Sequence, residues 1–225
     1  MADWVKILIL TVSGYLIGSV NPAYLIARAR GFDIRQRGSG NAGASNALIL
    51  MGKKVGVISA LLDFFKAFII VVIAKQWLPG TPYAGIFAGV ACTVGHVFPL
   101  FMKFHGGKGL ACLGGLILGF DYRVFIILFI LELVLVLIVD YICVAPISAS
   151  IAMPLIYKFM TGDNVGSAAL AMLALLIVYK HVENIKRIRG GVEAHFSFLW
   201  KRNQEVERLR DRFEEPVTEE KDEEV

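Results

Sequence analysis

From Arg123 to Asp140 the chain reads Arg-Val-Phe-Ile-Ile-Leu-Phe-Ile-Leu-Glu-Leu-Val-Leu-Val-Leu-Ile-Val-Asp, apolar at nearly every position. A helix of about 20 such residues crosses a hydrocarbon core of about 30 Å. The run lacks the polar alternation of a barrel strand, so it reads as a membrane helix. Comparable runs occupy 4–27, 55–78, 82–101, 109–120, 141–160 and 165–181, with Asp140 and Pro146 bracketing the turn between 123–140 and 141–160. Over all 225 residues, 56% are hydrophobic and only 19% charged, with a mean hydropathy of +0.65. These values exclude an ordinary soluble domain. The expected fold is all-α, a polytopic membrane protein of about seven short transmembrane helices.

Two runs need comment. The first starts at Trp4, but Asp3 stands where a secretory signal carries basic residues, and the run continues past Pro22 to Ala27 without a clear cleavage site; it reads as a retained span. The 109–120 run is too short to cross comfortably alone. Gly109, Gly114, Gly115 and Gly119 suit it to close packing, as a short crossing helix or a re-entrant element. Cys92, Cys112 and Cys143 lie inside apolar runs at irregular spacing, which reads as core packing rather than a disulfide framework or metal site.

Basic residues cluster in three places: 28–54 with Arg28, Arg30, Arg35, Arg37, Lys53 and Lys54; 102–108 with Lys103 and Lys108; and the stretch after residue 180. The turns at 78–82 and 161–166 are almost free of them. Seven crossings put the basic segments on one side, which the positive-inside rule makes cytoplasmic, with the N-terminus outside and the C-terminus cytoplasmic. Residues 1–200 are expected to form the membrane domain. Residues 201–225, with ten acidic and six basic side chains, read as a charged, disordered cytoplasmic tail. Without that tail the chain is clearly cationic, which favours anionic partners.

Each basic segment carries anion-binding chemistry. The first runs from Asp33 to Asn46; Gly38, Gly40 and Gly43 free backbone N–H groups, Ser39, Asn41, Ser45 and Asn46 add side-chain partners, and Arg35 and Arg37 can fork onto an oxyanion. Its glycines satisfy G-x-G-x-x-G, but no strand precedes them, so a dinucleotide fold is not indicated. The second, Lys103 to Gly109, places Gly106, Gly107, Lys108 and Gly109 at the opening of a helix, a ready phosphate site. It is not a Walker A motif, since Met102 and Gly109 stand where Gly and Ser or Thr are required. In the third, 181–193, a helix leaving the membrane sets His181 and Asn184 on one face and pairs Glu183 with Arg187. Blander readings are a flexible interhelix loop, a snorkelling lysine and a helix end whose cations favour its dipole. Inside the spans, Asp63 and Lys66 are spaced for an ion pair and Glu132 is harder to place; His96, seven residues before Lys103, reads either as a border of the same site or as a packed interhelical hydrogen bond.

These segments resemble the bacterial acyl-phosphate:glycerol-3-phosphate acyltransferase family over roughly residues 10–195. The resemblance rests on Gly-Ser-x-x-Pro-Ala at Gly18 to Ala23, Asp-Ile-Arg and Gly-Ser-Gly-Asn-x-Gly between Asp33 and Gly43, Gly-His-x-Phe-Pro from Gly95, Gly-Gly-Lys-Gly from Gly106, and His-x-x-Asn then Gly-x-Glu between His181 and Glu193. Ser45, His105 and Cys112 depart from the family's usual Thr, Lys and Thr.

The resemblance implies transfer of a fatty acyl group from acyl phosphate to the 1-hydroxyl of glycerol 3-phosphate, the first step of phospholipid synthesis, in the bacterial cytoplasmic (inner) membrane with the active site facing the cytoplasm. The expected products are lysophosphatidic acid and phosphate. Acyl phosphate is already activated, and the chain has no Gly-x-Ser-x-Gly elbow and no His-x4-Asp motif, so no covalent acyl-enzyme is expected. On this reading Arg35, Gly106, Gly107 and Lys108 hold phosphate, assisted by Gly38, Gly40, Ser45, Asn46 and Gly109. His181 and Asn184 orient the hydroxyl, Ser39, Asn41 or Asn184 polarises the carbonyl, and Glu193 braces the third segment through Arg187 or Arg189. No cofactor, metal or nucleic acid is expected; the partners are the two substrates and membrane lipids, and the protein is expected to be a monomer. Other readings of the residues are a small transporter of a phosphorylated solute and an acyltransferase that uses an acyl thioester.

Overall fold

A computed structural model describes residues 1–201 and Glu205. The charged tail, apart from Lys201 and Glu205, lies outside the described residues. Within them the chain forms nine α-helices and no strand: α1 (Asp3–Ser19), α2 (Pro22–Ala29), α3 (Ala44–Met51), α4 (Lys53–Trp77), α5 (Tyr83–Val97), α6 (Leu110–Phe120), α7 (Tyr122–Val139), α8 (Val144–Thr161) and α9 (Asn164–Arg189). Six segments are long and apolar enough to cross a membrane: Asp3–Ala29, Lys53–Trp77, Tyr83–Met102, Tyr122–Val139, Val144–Thr161 and Asn164–Arg189. Their outward faces remain apolar, with Phe159 93% and Leu155 72% exposed, the surface of a protein whose solvent is lipid.

Small residues set the tightest crossing. A side chain at Gly14 or Gly18 of α1 would overlap the carbonyls of Ala88 and Cys92 on α5, and one at Gly95 would overlap that of Tyr15. Backbones this close gain dispersion contacts, which drive helix association where water does not. α6, at about 16 Å for its 11 residues, lies against α4, with Gly115 facing the Phe64 carbonyl. At its far end the Lys75 ammonium donates to Gly119 O and Phe120 O (3.0 and 2.7 Å), satisfying two orphan carbonyls.

Two elements differ from the sequence expectation. The first span is interrupted at Val20 and Asn21, because Asn21 caps α2 by accepting from Tyr24 N (2.9 Å) and Pro22 opens it without needing its missing N–H. The 28–54 stretch is no plain loop either. It holds a 3-10 turn at Ile34–Gln36 and the eight-residue α3, whose Leu48 closes on Gly56 of α4. Beneath it Ala23, Ala27, Ile34, Ala42, Ala47, Val55 and Met102 form a small core, so apolar burial holds this segment down.

Candidate active site

Two buried asparagines shape the first glycine-rich segment. Asn46 donates to Ile34 O and Arg37 O (3.1 and 3.0 Å) and accepts from Ser39 N (3.1 Å); Asn21 donates to Ala42 O (2.8 Å). Their amides replace the ladder bonds that an irregular backbone lacks. Gly38 and Gly40 take positive φ (63° and 69°), which turns Ser39 and Asn41 toward a cavity. Arg35 goes elsewhere. Its guanidinium pairs with Asp33 (Nη2 to Oδ2, 2.6 Å), donates to Met102 O (2.8 Å) and stacks over Tyr24. The same contact holds the Asp33 carboxyl below its usual range.

The second segment is laid against α5. Gly106 N donates to Val97 O (3.1 Å) and Gly107 N to His96 O (3.0 Å). A side chain at Gly107 would overlap the His96 imidazole, so glycine is required by this approach. Asp63, 1% exposed, lies 3.2 Å from His96 Nδ1 and 2.6 Å from the Lys66 ammonium, which also donates to Gly18 O and Val20 O at the end of α1. Ligand atoms of Asp63, His96 and Cys112 cluster within 4.8 Å of one another, as a metal site would require. Lys66 supplies the positive charge at that spot, so the group is complete as an internal ion pair. The segment ends at Gly109 (φ 90°), after which the N-terminus of α6 faces the cavity.

The third element is the end of α9. His181 Nδ1 stands 2.7 Å from Ile177 O; a carbonyl only accepts, so this nitrogen carries the proton and Nε2 keeps a lone pair. The Lys108 ammonium donates to Asn184 Oδ1, Asn184 Nδ2 donates to Glu193 Oε1 (2.5 Å), and Arg187 Nε donates to Glu193 Oε2 (2.5 Å). Glu193 gets there because Gly190 and Gly191 (φ 70°) end the helix and turn the chain back along it. Burial, then the neighbouring Arg187 charge, pushes the Lys108 ammonium down to about 8, with Glu183 and Glu193 acting in the other direction.

All three elements border one cavity of about 390 Å³. Among the residues singled out from sequence, Gly38, Ser39, Asn41, Ser45 and Asn46 line it from the first segment, Lys108 and Gly109 from the second, and His181, Asn184 and Glu193 from the third. Arg35, Gly40, Gly106 and Gly107 are not among its lining residues. The arginine that does line it is Arg187, for which the sequence suggests only a helical pair with Glu183 (3.8 Å) or a brace for Glu193. His96, whose place seven residues before Lys103 suggests a border of the same site, does line the cavity, as does its partner Asp63; Cys143, His195 and Phe196 line it without any sequence assignment to the site. The Gly190-Gly191 pair was the available signal for the last two, since it marks a chain reversal toward the membrane. Cys143 is buried at the apolar start of its span, and among the described residues no base contacts it by hydrogen bond.

The glycerol-3-phosphate acyltransferase family model matches residues 8–191. A glycerol-3-phosphate acyltransferase of Aquifex aeolicus is 36% identical over 192 residues, covering 85% of this chain and 100% of its own. Those of Geobacter sulfurreducens (35%, covering 84% and 97%) and Thermotoga petrophila (38%, covering 81% and 92%) are similar. Among solved structures, crystal structures of PlsY, an integral membrane glycerol 3-phosphate acyltransferase, superpose with TM-scores of 0.78 (glycerol 3-phosphate form, 36% identical) and 0.75 (lysophosphatidic acid form, 35%), each covering 86% of this chain and 97% of PlsY. With its all-helical membrane fold, the chain belongs to the glycerol-3-phosphate acyltransferase family.

Proposed function

We propose that the chain transfers a fatty acyl group from acyl phosphate to the 1-hydroxyl of glycerol 3-phosphate, giving lysophosphatidic acid and inorganic phosphate. The observation that carries this reading is the chain of contacts Lys108, Asn184, Glu193, Arg187, which sets two cations beside one cavity at the mouth of an apolar space. Neutral Asn184 links them to a carboxylate that fixes their positions without filling the cavity. A phosphate dianion entering there meets an ammonium, a guanidinium, the N-terminus of α6 and the Ser39–Asn41 turn. Apolar residues such as Leu48, Ile49 and Val57 line another part of the same cavity, and Val57 is half exposed on the lipid face, which supports an acyl chain leaving the pocket on that side.

The hydroxyl oxygen of the acceptor attacks the carbonyl carbon of the mixed anhydride. The new ester C–O bond forms as the acyl C–O bond to phosphate breaks, and phosphate departs with the bonding pair. His181 Nε2, the nitrogen free to accept, orients the hydroxyl and takes its proton. Ser39 and Asn41 stand as donors for the carbonyl oxygen. No enzyme nucleophile is needed, in keeping with the burial of Cys143. Holding two substrates in register can supply about 7 to 11 kcal/mol of barrier reduction. In this mechanism Arg35 and Asn46 act by folding the loop, Gly106 and Gly107 by placing Lys108, and Asn184 by holding the Lys108 ammonium.

The site faces the cytoplasm of a bacterial inner membrane in this proposal. Lys108 and Asn184 touch, so an even number of crossings separates them. The long spans α7, α8 and α9 give three, and α6, whose far end meets Lys75 near the distal end of α4, supplies the fourth. This supports seven crossings, with the N-terminus outside.

Purified protein given labelled glycerol 3-phosphate and either palmitoyl phosphate or palmitoyl thioester tests the reaction. Lysophosphatidic acid from the phosphate donor alone is expected. Product from the thioester overturns the donor assignment, and no product from either overturns the enzyme reading. For His181→Ala, a slower single-turnover step across the pH range is expected, and an unchanged one removes His181 as the base.

A further inference from the structure

Residues 194–197 lie past the stretch matched to the family and yet border the cavity through Ala194, His195 and Phe196. They are held from a distant part of the chain. Asp140 closes α7 in the left-handed conformation (φ 61°) and offers three oxygen acceptors outward. Its carbonyl accepts from Phe196 N (2.7 Å), Oδ1 from Ser197 N (2.7 Å) and Oδ2 from Ser197 Oγ (2.9 Å). The neighbouring Tyr141 ring lies against His195, centroids 5.0 Å apart. The next residues of that turn, Ile142 and Cys143, line the cavity too. One residue before this stretch is Glu193, which grips Asn184 and Arg187.

We propose that residues 194–197 complete the glycerol 3-phosphate pocket as a wall, and that Asp140 is the positioning residue which holds this wall and, through Glu193, the Asn184–Lys108 pair. The inference rests on the proposed reaction. On the C-terminal side of Glu193, Asp140 accepts three hydrogen bonds from Phe196 and Ser197, and Glu205 accepts from His195 N (2.8 Å) between them; the Gly190–Gly191 reversal fixes the other side. A carboxylate held at both ends keeps its two oxygens on Asn184 and Arg187 as substrate enters and leaves. Without the two Asp140 side-chain bonds this end is held only by the Asp140 carbonyl and Glu205; so loosened, Glu193 samples other rotamers, and Lys108 loses a defined place before phosphate binds. The cost therefore falls on acceptor binding and not on the chemical step, where bound phosphate itself aligns the cations.

The full-length protein in detergent carries the test. Asp140→Gly removes the side-chain acceptors while tolerating the left-handed backbone, so α7 still ends where it does. It is expected to raise KM for glycerol 3-phosphate about tenfold with kcat within about threefold, and Asp140→Asn, which keeps an acceptor oxygen, is expected to recover most of the loss. A KM within about twofold of the unaltered protein, or a fall in kcat alone, overturns the proposal. Should Asp140→Gly fail to assemble, Ser197→Ala, outside every α-helix, is expected to raise KM about threefold, and an unchanged KM there overturns it equally. Hydrogen–deuterium exchange at the Ser197 amide, which donates to the Asp140 side chain, separates this idea from the reaction assignment; the Phe196 amide, bonded to the retained Asp140 carbonyl, is the internal reference. If the unaltered protein makes no lysophosphatidic acid, the reaction assignment fails. Faster exchange at the Ser197 amide in Asp140→Gly still upholds the tether, and equal exchange there in both proteins overturns it.

Discussion

Lys108 shows why the identity of a cation matters more than its presence. Its ammonium is mostly buried, with its proton released at about 8, low for a lysine because burial and Arg187 disfavour the charge. The sign is clear: the charged form exists below that value and disappears as pH rises through it. Glycerol 3-phosphate is a dianion across this window, so KM for it is expected to climb above about pH 8, while bound phosphate holds the lysine charged and leaves kcat nearly flat. Initial rates at saturating acyl phosphate between pH 6.5 and 9.5 check this; a KM that does not move would separate Lys108 from phosphate binding. Lys108→Met should raise KM by about 100-fold or more, the loss of a charge-assisted contact of about 3 kcal/mol. Arg35, which carries as strong a charge in the motif, is instead spent two residues away on Asp33. Its replacement is expected to act through the fold of the loop, lowering thermal stability together with activity.

The helices divide into those that sequence periodicity and run length reveal and those that depend on a neighbour. The long spans begin and end within a few residues of the apolar runs, since each is set by its own composition; the exception is α9, which continues eight residues past its run to Arg189. α3 was not visible in this way. Eight residues flanked by Gly43 and Gly52 do not hold a helix alone; this one exists because Leu48 packs on Gly56 and Asn46 is tied to the loop before it. The α1–α5 crossing is a similar case: Gly14 reads as an ordinary span residue and Gly18 as the start of a motif, and neither shows its packing role until α5 is placed against them. Gly18→Val is expected to destabilise the protein by about 1 to 3 kcal/mol through overpacking, because its side chain would meet the Cys92 carbonyl. A thermal melt in detergent reads this directly. An unchanged midpoint would show that the two helices are free to part.

Across the molecule, the three basic segments reach one cavity although they are far apart in the chain, Lys108 and Asn184 by 76 positions. Their common side can be tested with single introduced cysteines, since Cys92, Cys112 and Cys143 are all buried. Exposed positions Arg30, Lys103 and Lys186, each changed to Cys, are expected to react with an impermeant maleimide from one face of the membrane, and Gly80→Cys and Thr161→Cys from the other. Labelling of Lys103→Cys and Gly80→Cys from the same face would remove the seven-crossing topology.

The amino-acid order was enough to mark the long apolar runs, the basic segments and ten of the residues that line the cavity, because transfer of a side chain into lipid is a local property that adds along a run. Which polar groups face the substrate and which face one another was beyond it. Arg35 and Arg187 are chemically alike in the sequence; Asp33 and Met102 O engage the first in the loop, while Glu193 holds the second beside the cavity. Hydrogen bonds are made between partners that folding brings together from distant positions, so Asp63 with His96 and Asp140 with Ser197 acquired their meaning only when the helices packed.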